Sequence, residues 1–248
     1  MAGHSHSSNI RHRKAAVDAK KGAAFSKHAK LIVSAAKLGG GDPKANPRLQ
    51  LAIDKARGDN MPKDKIERAI KKGTGELEGV IVEEIRYEAY GPGGAAILID
   101  ALTDNRNRSA SDLRHLLEKN GGRMADMGAV SYMFNQRALV VVKAEGVEED
   151  ALFEAVTDLG AEDLERAGDV FEVFAEATLL SEVHKGLLEK EFTVESSELV
   201  MIPQSSVELD RESAIKVLAL LDAVEEHDDV NVTHSNVQIS DEILASLD

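Results

Sequence analysis

The chain has 248 residues, with 30 Lys and Arg against 44 Asp and Glu, 43% hydrophobic residues, 4% aromatic ones, and neither Cys nor Trp. The lack of Cys excludes a disulfide framework, a thiolate nucleophile and Cys-ligated zinc. No apolar run reaches the roughly 18 residues of a membrane span, and the start, Met1-Ala2-Gly3-His4-Ser5-His6-Ser7, lacks the apolar core of a signal peptide, so a soluble, cytoplasmic chain is expected.

The acidity is unevenly placed. The first 75 residues carry 17 Lys and Arg against 6 Asp and Glu, and the rest carry 13 against 38. A block this basic reads as a surface for a polyanion, of which nucleic acid is the commonest. The competing reading is an ordinary solvated helical face.

From about Asn9 to Leu38 there is neither proline nor strand-like alternation, so the segment is predicted helical, with Gly22 allowing a division in two. Val17, Ala24, Leu31 and Leu38 recur every seven residues, with Lys14, Lys21 and His28 in a row on an adjoining face. Gly39-Gly40-Gly41-Asp42-Pro43 stops the run. Asn46-Pro47 then supplies a cap and a first-turn proline for a helix with Leu49, Ala52, Ile53 and Ala56 inward. Pro62 opens another, with Ile66, Ala69 and Ile70 apolar and Gly73 expected as its left-handed cap.

After Gly75 the period becomes alternating. Ile85, Tyr87 and Ala89 lead through Gly91-Pro92-Gly93-Gly94 to the apolar run 95–102, which predicts a hairpin. Ser109 is expected to begin a helix ending at Gly121-Gly122, and 129–134 reads as a strand. Strand 138–143, helix 148–159, strands 162–166 and 170–175, helix 179–190 and strand 194–202 follow, the βαββαβ order of a ferredoxin-like fold. A helix from Asp210 and a strand over 230–237 close the chain. These last two cannot bury their apolar faces alone, and the earlier hairpin, helix and strand need a second covering helix. The expectation is therefore an α+β protein of three domains: a basic helical domain over 1–75, an α+β domain from 76–137 plus 204–248, and an inserted ferredoxin-like domain over 138–203.

Several runs resemble the YebC family of probable transcriptional regulatory proteins. They are Met1 to Ser5, Asn9 to Ala16 (NIRHRKAA), Leu38 to Leu51 (LGGGDPKANPRLQL), Asn60 to Lys63 with Ile66 to Ile70, Tyr90 to Gly94, and Thr103 to Arg108 (TDNRNR). The resemblance implies a helical first domain, two α+β domains with the third inserted in the second, a cytoplasmic location and no enzymatic activity. It also implies DNA binding and transcriptional control, or, as in a mitochondrial relative, action in translation on ribosomes. One departure is notable: the family usually has Lys-Trp where this chain has His6-Ser7.

The candidate nucleic-acid residues are Arg11, His12, Arg13, Lys14, Lys20, Lys21, Lys27 and Lys30 in the first run. Arg48, Lys55, Lys63, Lys65, Arg68, Lys71 and Lys72 lie off the apolar stripes of the next two helices. Arg can fork two phosphate oxygens, whereas Lys acts as a point charge. Arg106 and Arg108, between a strand and a helix start, could form an anion site beside free N–H groups, although the Asp and Asn around them are also ordinary turn residues. Nothing in the basic block has the side-chain pattern of a base-reading helix. Phe25 is its only aromatic residue, which argues against a stacking platform there. Phe171 and Phe174 have acidic neighbours and read as core rather than as an RNA-recognition surface.

His4, His6 and His12 have no supporting carboxylate, so no metal site is expected. No GxxxxGK[ST], HExxH or GxSxG run occurs, and no catalytic residue or cofactor is expected. The leading expectation is a DNA-binding regulator whose acidic domains contact the transcription machinery. The alternative is a ribosome-associated translation factor whose same helices bind ribosomal RNA.

Overall fold

The computed structural model describes residues 21–78, 82–240 and 243, which form an α+β fold. They divide into two compact units: residues 134–202, and residues 21–133 with those from 203 onward. Among the described residues no helix is long and apolar enough to cross a membrane.

Among the described residues of the larger unit, three helices come first: α1 (Lys21–Gly39), α2 (Pro47–Gly58) and α3 (Lys63–Gly73). Their core joins Ile32, Val33, Ala35 and Ala36 of α1 to Leu49, Ile53 and Ala56 of α2, and to Ile66 and Ala69 of α3. The heptad Ala24, Leu31, Leu38 is not that core face, and Leu38 is 67% exposed. A strict seven-residue spacing drifts around a 3.6-residue helix, so the true stripe runs through His28, Ile32, Ala35 and Ala36. His28, expected on a charged row, is buried, and its Nε2 lies 2.5 Å from Asp59 Oδ2.

Asn46 caps α2 as its sequence implies, accepting from the Leu49 N–H. Its amide also donates to the carbonyls of Ala35 and Gly40, tying the start of α2 to the end of α1. The left-handed residue after α3 is Gly75, at φ 80°, not Gly73. Gly73 instead allows close helix approach, since a Cβ there would fall 2.6 Å from both the Val33 carbonyl oxygen and the Ala36 Cβ. The Gly73→Ala variant is expected to lose about 2 kcal/mol by overpacking, despite its gain of up to about 1 kcal/mol in helix propensity. Thermal melting of the full chain checks this.

The hairpin follows as β1 (Glu83–Tyr90) and β2 (Ala96–Thr103), turning through a short 3₁₀ segment at Pro92–Gly94. Gly93 and Gly94 both have positive φ in that turn. Next come α4 (Arg106–Lys119) and β3 (Arg123–Ala125). After the smaller unit the chain returns as β8 (Val207–Glu208), α7 (Arg211–Glu225), β9 (Val230–Ser235) and β10 (Val237–Gln238). The main sheet has order β3-β1-β2-β9 with every neighbour antiparallel. Leu113 and Leu117 of α4, and Val217, Leu220 and Val224 of α7, pack on Ala89, Ile97, Ile99 and Val230 from one sheet face. By alternation Glu84, Arg86, Glu88 and Tyr90 of β1 face the other way.

Two expected boundaries are corrected here. The fourth helix begins at Arg106 rather than Ser109, because the Asn105 side chain accepts the Arg108 N–H and caps it. Residues 129–133 are not a strand; only Phe134 of the expected 129–134 segment is, as the first residue of the next one. The short β3 pairs with the end of β1, and a 3₁₀ turn at Ser131–Met133 precedes the next strand. The buried Glu88 carboxylate draws in the N–H groups of Gly128, Val130 and Ser131, so these cannot join a sheet ladder.

The smaller unit runs β4 (Phe134–Lys143), α5 (Glu149–Asp158), β5 (Ala161–Ala167), β6 (Val170–Glu176), α6 (Leu180–Glu189) and β7 (Val194–Pro203). Its sheet order is β5-β6-β4-β7, with β6 antiparallel to both neighbours. Leu152, Ala155 and Val156 of α5 and Val183 and Leu187 of α6 are buried. Leu139, Val141, Val170 and Val200 form a further apolar cluster, with Phe174 packed against it. Phe171 is 1% exposed, a core side chain.

Candidate nucleic-acid interface

The candidate cations divide into those the chain uses internally and those it presents outward. Arg11, His12, Arg13, Lys14 and Lys20 lie outside the described residues, and Lys21 is described only as the first backbone position of α1.

Lys27 and Lys30, one turn apart on α1, both reach the end of α7 and the loop after it. Lys27 Nζ donates to the Glu225 carbonyl at 2.5 Å, a cation at a helix C-terminus. Burial pushes its amine down in pKa, although Glu225 and Asp228 pull the other way. Lys30 Nζ donates to the Asp228 carbonyl at 3.0 Å and to Asp229 Oδ1 at 2.6 Å.

Asp229 is 3% exposed, and its second oxygen accepts from Ser109 Oγ at 2.6 Å and Arg108 at 2.9 Å, with Thr103 Oγ1 at 3.3 Å. Burial alone would raise this carboxyl. Hydrogen bonds from Lys30, Ser109 and Arg108, with the Lys30 charge, hold it well below the ordinary carboxylate range. The anion at the start of α4 is therefore the chain's own. Arg108 also pairs with Asp104, while Arg106 is exposed in the first turn. Arg48 bonds Glu84 of β1, which also accepts from Ser34. Arg86 forks Asp100 directly opposite it on β2.

The remaining cations are outward. Lys63 lies 3.6 Å from Glu67 on an exposed turn, Lys65 sits over the Phe25 ring, and Lys55 is exposed on α2. Arg68, Lys71 and Lys72 of α3 are exposed and have no ion-pair partner among the described residues, as are Lys37 and Lys44. The ends of α1 and α3 converge, because a Cβ on Gly41 would meet Thr74 and Ile70 side chains at 2.8 and 3.2 Å. Lys37, Lys71 and Lys72 thus sit in converging last helical turns, with Lys44 on the loop between α1 and α2.

Sequence reasoning missed Asp229 and Glu88, both buried carboxylates that organise this unit. Nothing local marks them, since their partners lie far away in the chain.

The larger unit is thus a small helical segment with outward cations, docked on an α+β sheet layer. Residues 5–76 match the family model described as the TACO1/YebC protein N-terminal domain, and residues 82–237 match TACO1/YebC second and third domain. A "Probable transcriptional regulatory protein" of Geotalea uraniireducens is 50% identical over 242 residues, 98% of each chain. Another so named, from Chlorobium luteolum, is 46% identical over the whole of both chains. The crystal structure of a conserved hypothetical protein, Aq1575 from Aquifex aeolicus, superposes with a TM-score of 0.85 at 44% identity, covering 92% of this chain and 94% of that one. The chain belongs to the TACO1/YebC family.

Proposed function

We propose that the chain is a non-enzymatic, cytoplasmic regulator of transcription that binds DNA through the outward cations of its helical segment. Its relatives carry the name of transcriptional regulatory proteins, which supports the regulatory part of this reading. The observation that carries the binding part is the sorting of cations. Lys27, Lys30, Arg48 and Arg108 are bound to the chain's own acceptors, whereas Arg68, Lys71 and Lys72 are exposed and have no ion-pair partner among the described residues. In this reading residues 1–75 serve as the nucleic-acid domain. The inserted ferredoxin-like domain over 138–203 and the α+β domain around it offer acidic surfaces to a protein of the transcription machinery.

The test removes three charges at once. Arg68→Gln, Lys71→Gln and Lys72→Gln together preserve helix propensity. If each contacts a phosphate, the slope of log affinity against log salt on duplex DNA falls by about 0.9 per contact, equally for promoter and scrambled sequences. An unchanged slope would remove α3 from the interface. Loss of promoter preference alone would show base reading instead.

A further inference from the structure

The loop between β3 and β4, residues 126–133, is held far more firmly than its exposed tip requires. Glu88 is 5% exposed and accepts the N–H groups of Gly128 at 2.7 Å, Val130 at 2.6 Å and Ser131 at 3.0 Å. The Tyr90 hydroxyl donates to the Ala129 carbonyl at 3.1 Å. Gln204 donates its backbone N–H to the Met133 carbonyl and its side-chain amide to the Tyr132 carbonyl. Yet the loop presents two large side chains to solvent, Met127 at 88% and Tyr132 at 70% exposure. Neither contributes to a core.

What the loop displays is chemistry for an unpaired base. Tyr132 offers an open ring. Arg123, exposed on β3 just before the loop, lies with its guanidinium 4.7 Å from the Tyr90 ring centre, on the same sheet face. That face also carries the helical segment: Ser34 and Arg48 bond Glu84, four residues from Glu88 on β1. At about 3.3 Å per residue, the two attachment points lie about 13 Å apart along one strand. The helical segment and Arg123 thus share one side of the sheet, and Tyr132 stands on the loop that follows the strand of Arg123.

We infer that the 126–133 loop is a stacking site for an unpaired nucleotide, with Tyr132 against the base and Arg123 beside its phosphate. This rests on the nucleic-acid reading above and supplies the aromatic platform that the basic block lacks.

The test titrates the full chain with a short single-stranded DNA, the RNA of the same sequence and the corresponding duplex. Tyr132→Ala is expected to weaken single-strand binding about 5- to 100-fold while leaving duplex binding within about twofold. Tyr132→Phe, which keeps the ring, is expected to bind as the parent does. Loss on either single strand supports the site, and the strand on which it appears names the sugar it prefers. Equal loss on strand and duplex, or no loss on either, overturns it; the latter would be the result if the loop's occupant were an apolar peptide. If the parent binds duplex but no single strand, the stacking site fails and the DNA reading stands. If the parent binds no nucleic acid, both fail.

Discussion

Replacing Asp229 with Asn is expected to lower the unfolding free energy of the larger unit by about 3 kcal/mol, the range for breaking one side of a buried ion pair. The substitution keeps volume and shape, so the loss is electrostatic. Asp229 gives one oxygen to Lys30 and the other to Arg108 and Ser109, whereas Asn would turn an N–H₂ toward one of those donors. Urea denaturation should show a lower midpoint with an unchanged slope. The carboxyl is held below its ordinary value in the folded chain, so its contribution is complete above the unfolded pKa and is lost as pH falls. Stability of the parent should therefore decline below about pH 4, and the Asn variant should decline less. Asp100 titrates in the same direction: burial raises it, but Arg86 and His234 bring it down to about 2, so some acid sensitivity persists in the variant. Identical acid profiles for the two proteins would remove Asp229 from this role.

The elements readable from sequence were those punctuated locally. Asn46-Pro47 opened a helix, Gly91 to Gly94 closed a hairpin, and the run of strands and helices after residue 138 lay within a few residues of the structure. Expectations failed where a distant partner decides. Ala129 to Met133 has strand-like residues, but Glu88, some 40 residues away, takes the Val130 and Ser131 backbone donors. The same holds for the site. Charge asymmetry marked the helical segment as cationic, yet Lys27 and Lys30 look no different in sequence from Lys71 and Lys72. Their acceptors lie 198 and 199 residues away, and only the fold reveals which cations are already spent.

Glu88→Gln joins the stability of that fold to its proposed use. In the parent, burial raises the Glu88 carboxyl, but N–H donors from Val130, Gly128 and Ser131 outweigh this and lower it. Gln offers one acceptor where the carboxylate has two, so the Gly128 donor or the Val130 and Ser131 donors are left facing an N–H₂. With charge-assisted bonds also lost, the cost is expected to be about 3 kcal/mol. Since the folded carboxyl is lowered, its contribution holds above about pH 4.3 and fades below it, and the Gln variant lacks that part of the acid dependence. Amide exchange separates a loop effect from a global one. Protection at Gly128, Val130 and Ser131 should fall more than at Ile97 to Ile99 in the centre of β2. If rigidity is what readies Tyr132 for a base, single-strand affinity should fall in this variant although Tyr132 is untouched, while duplex affinity holds. A loosened loop with unchanged single-strand binding would mean that Tyr132 stacks without needing its support. Uniform loss of protection across the sheet would mean that Glu88 serves the sheet and not the loop.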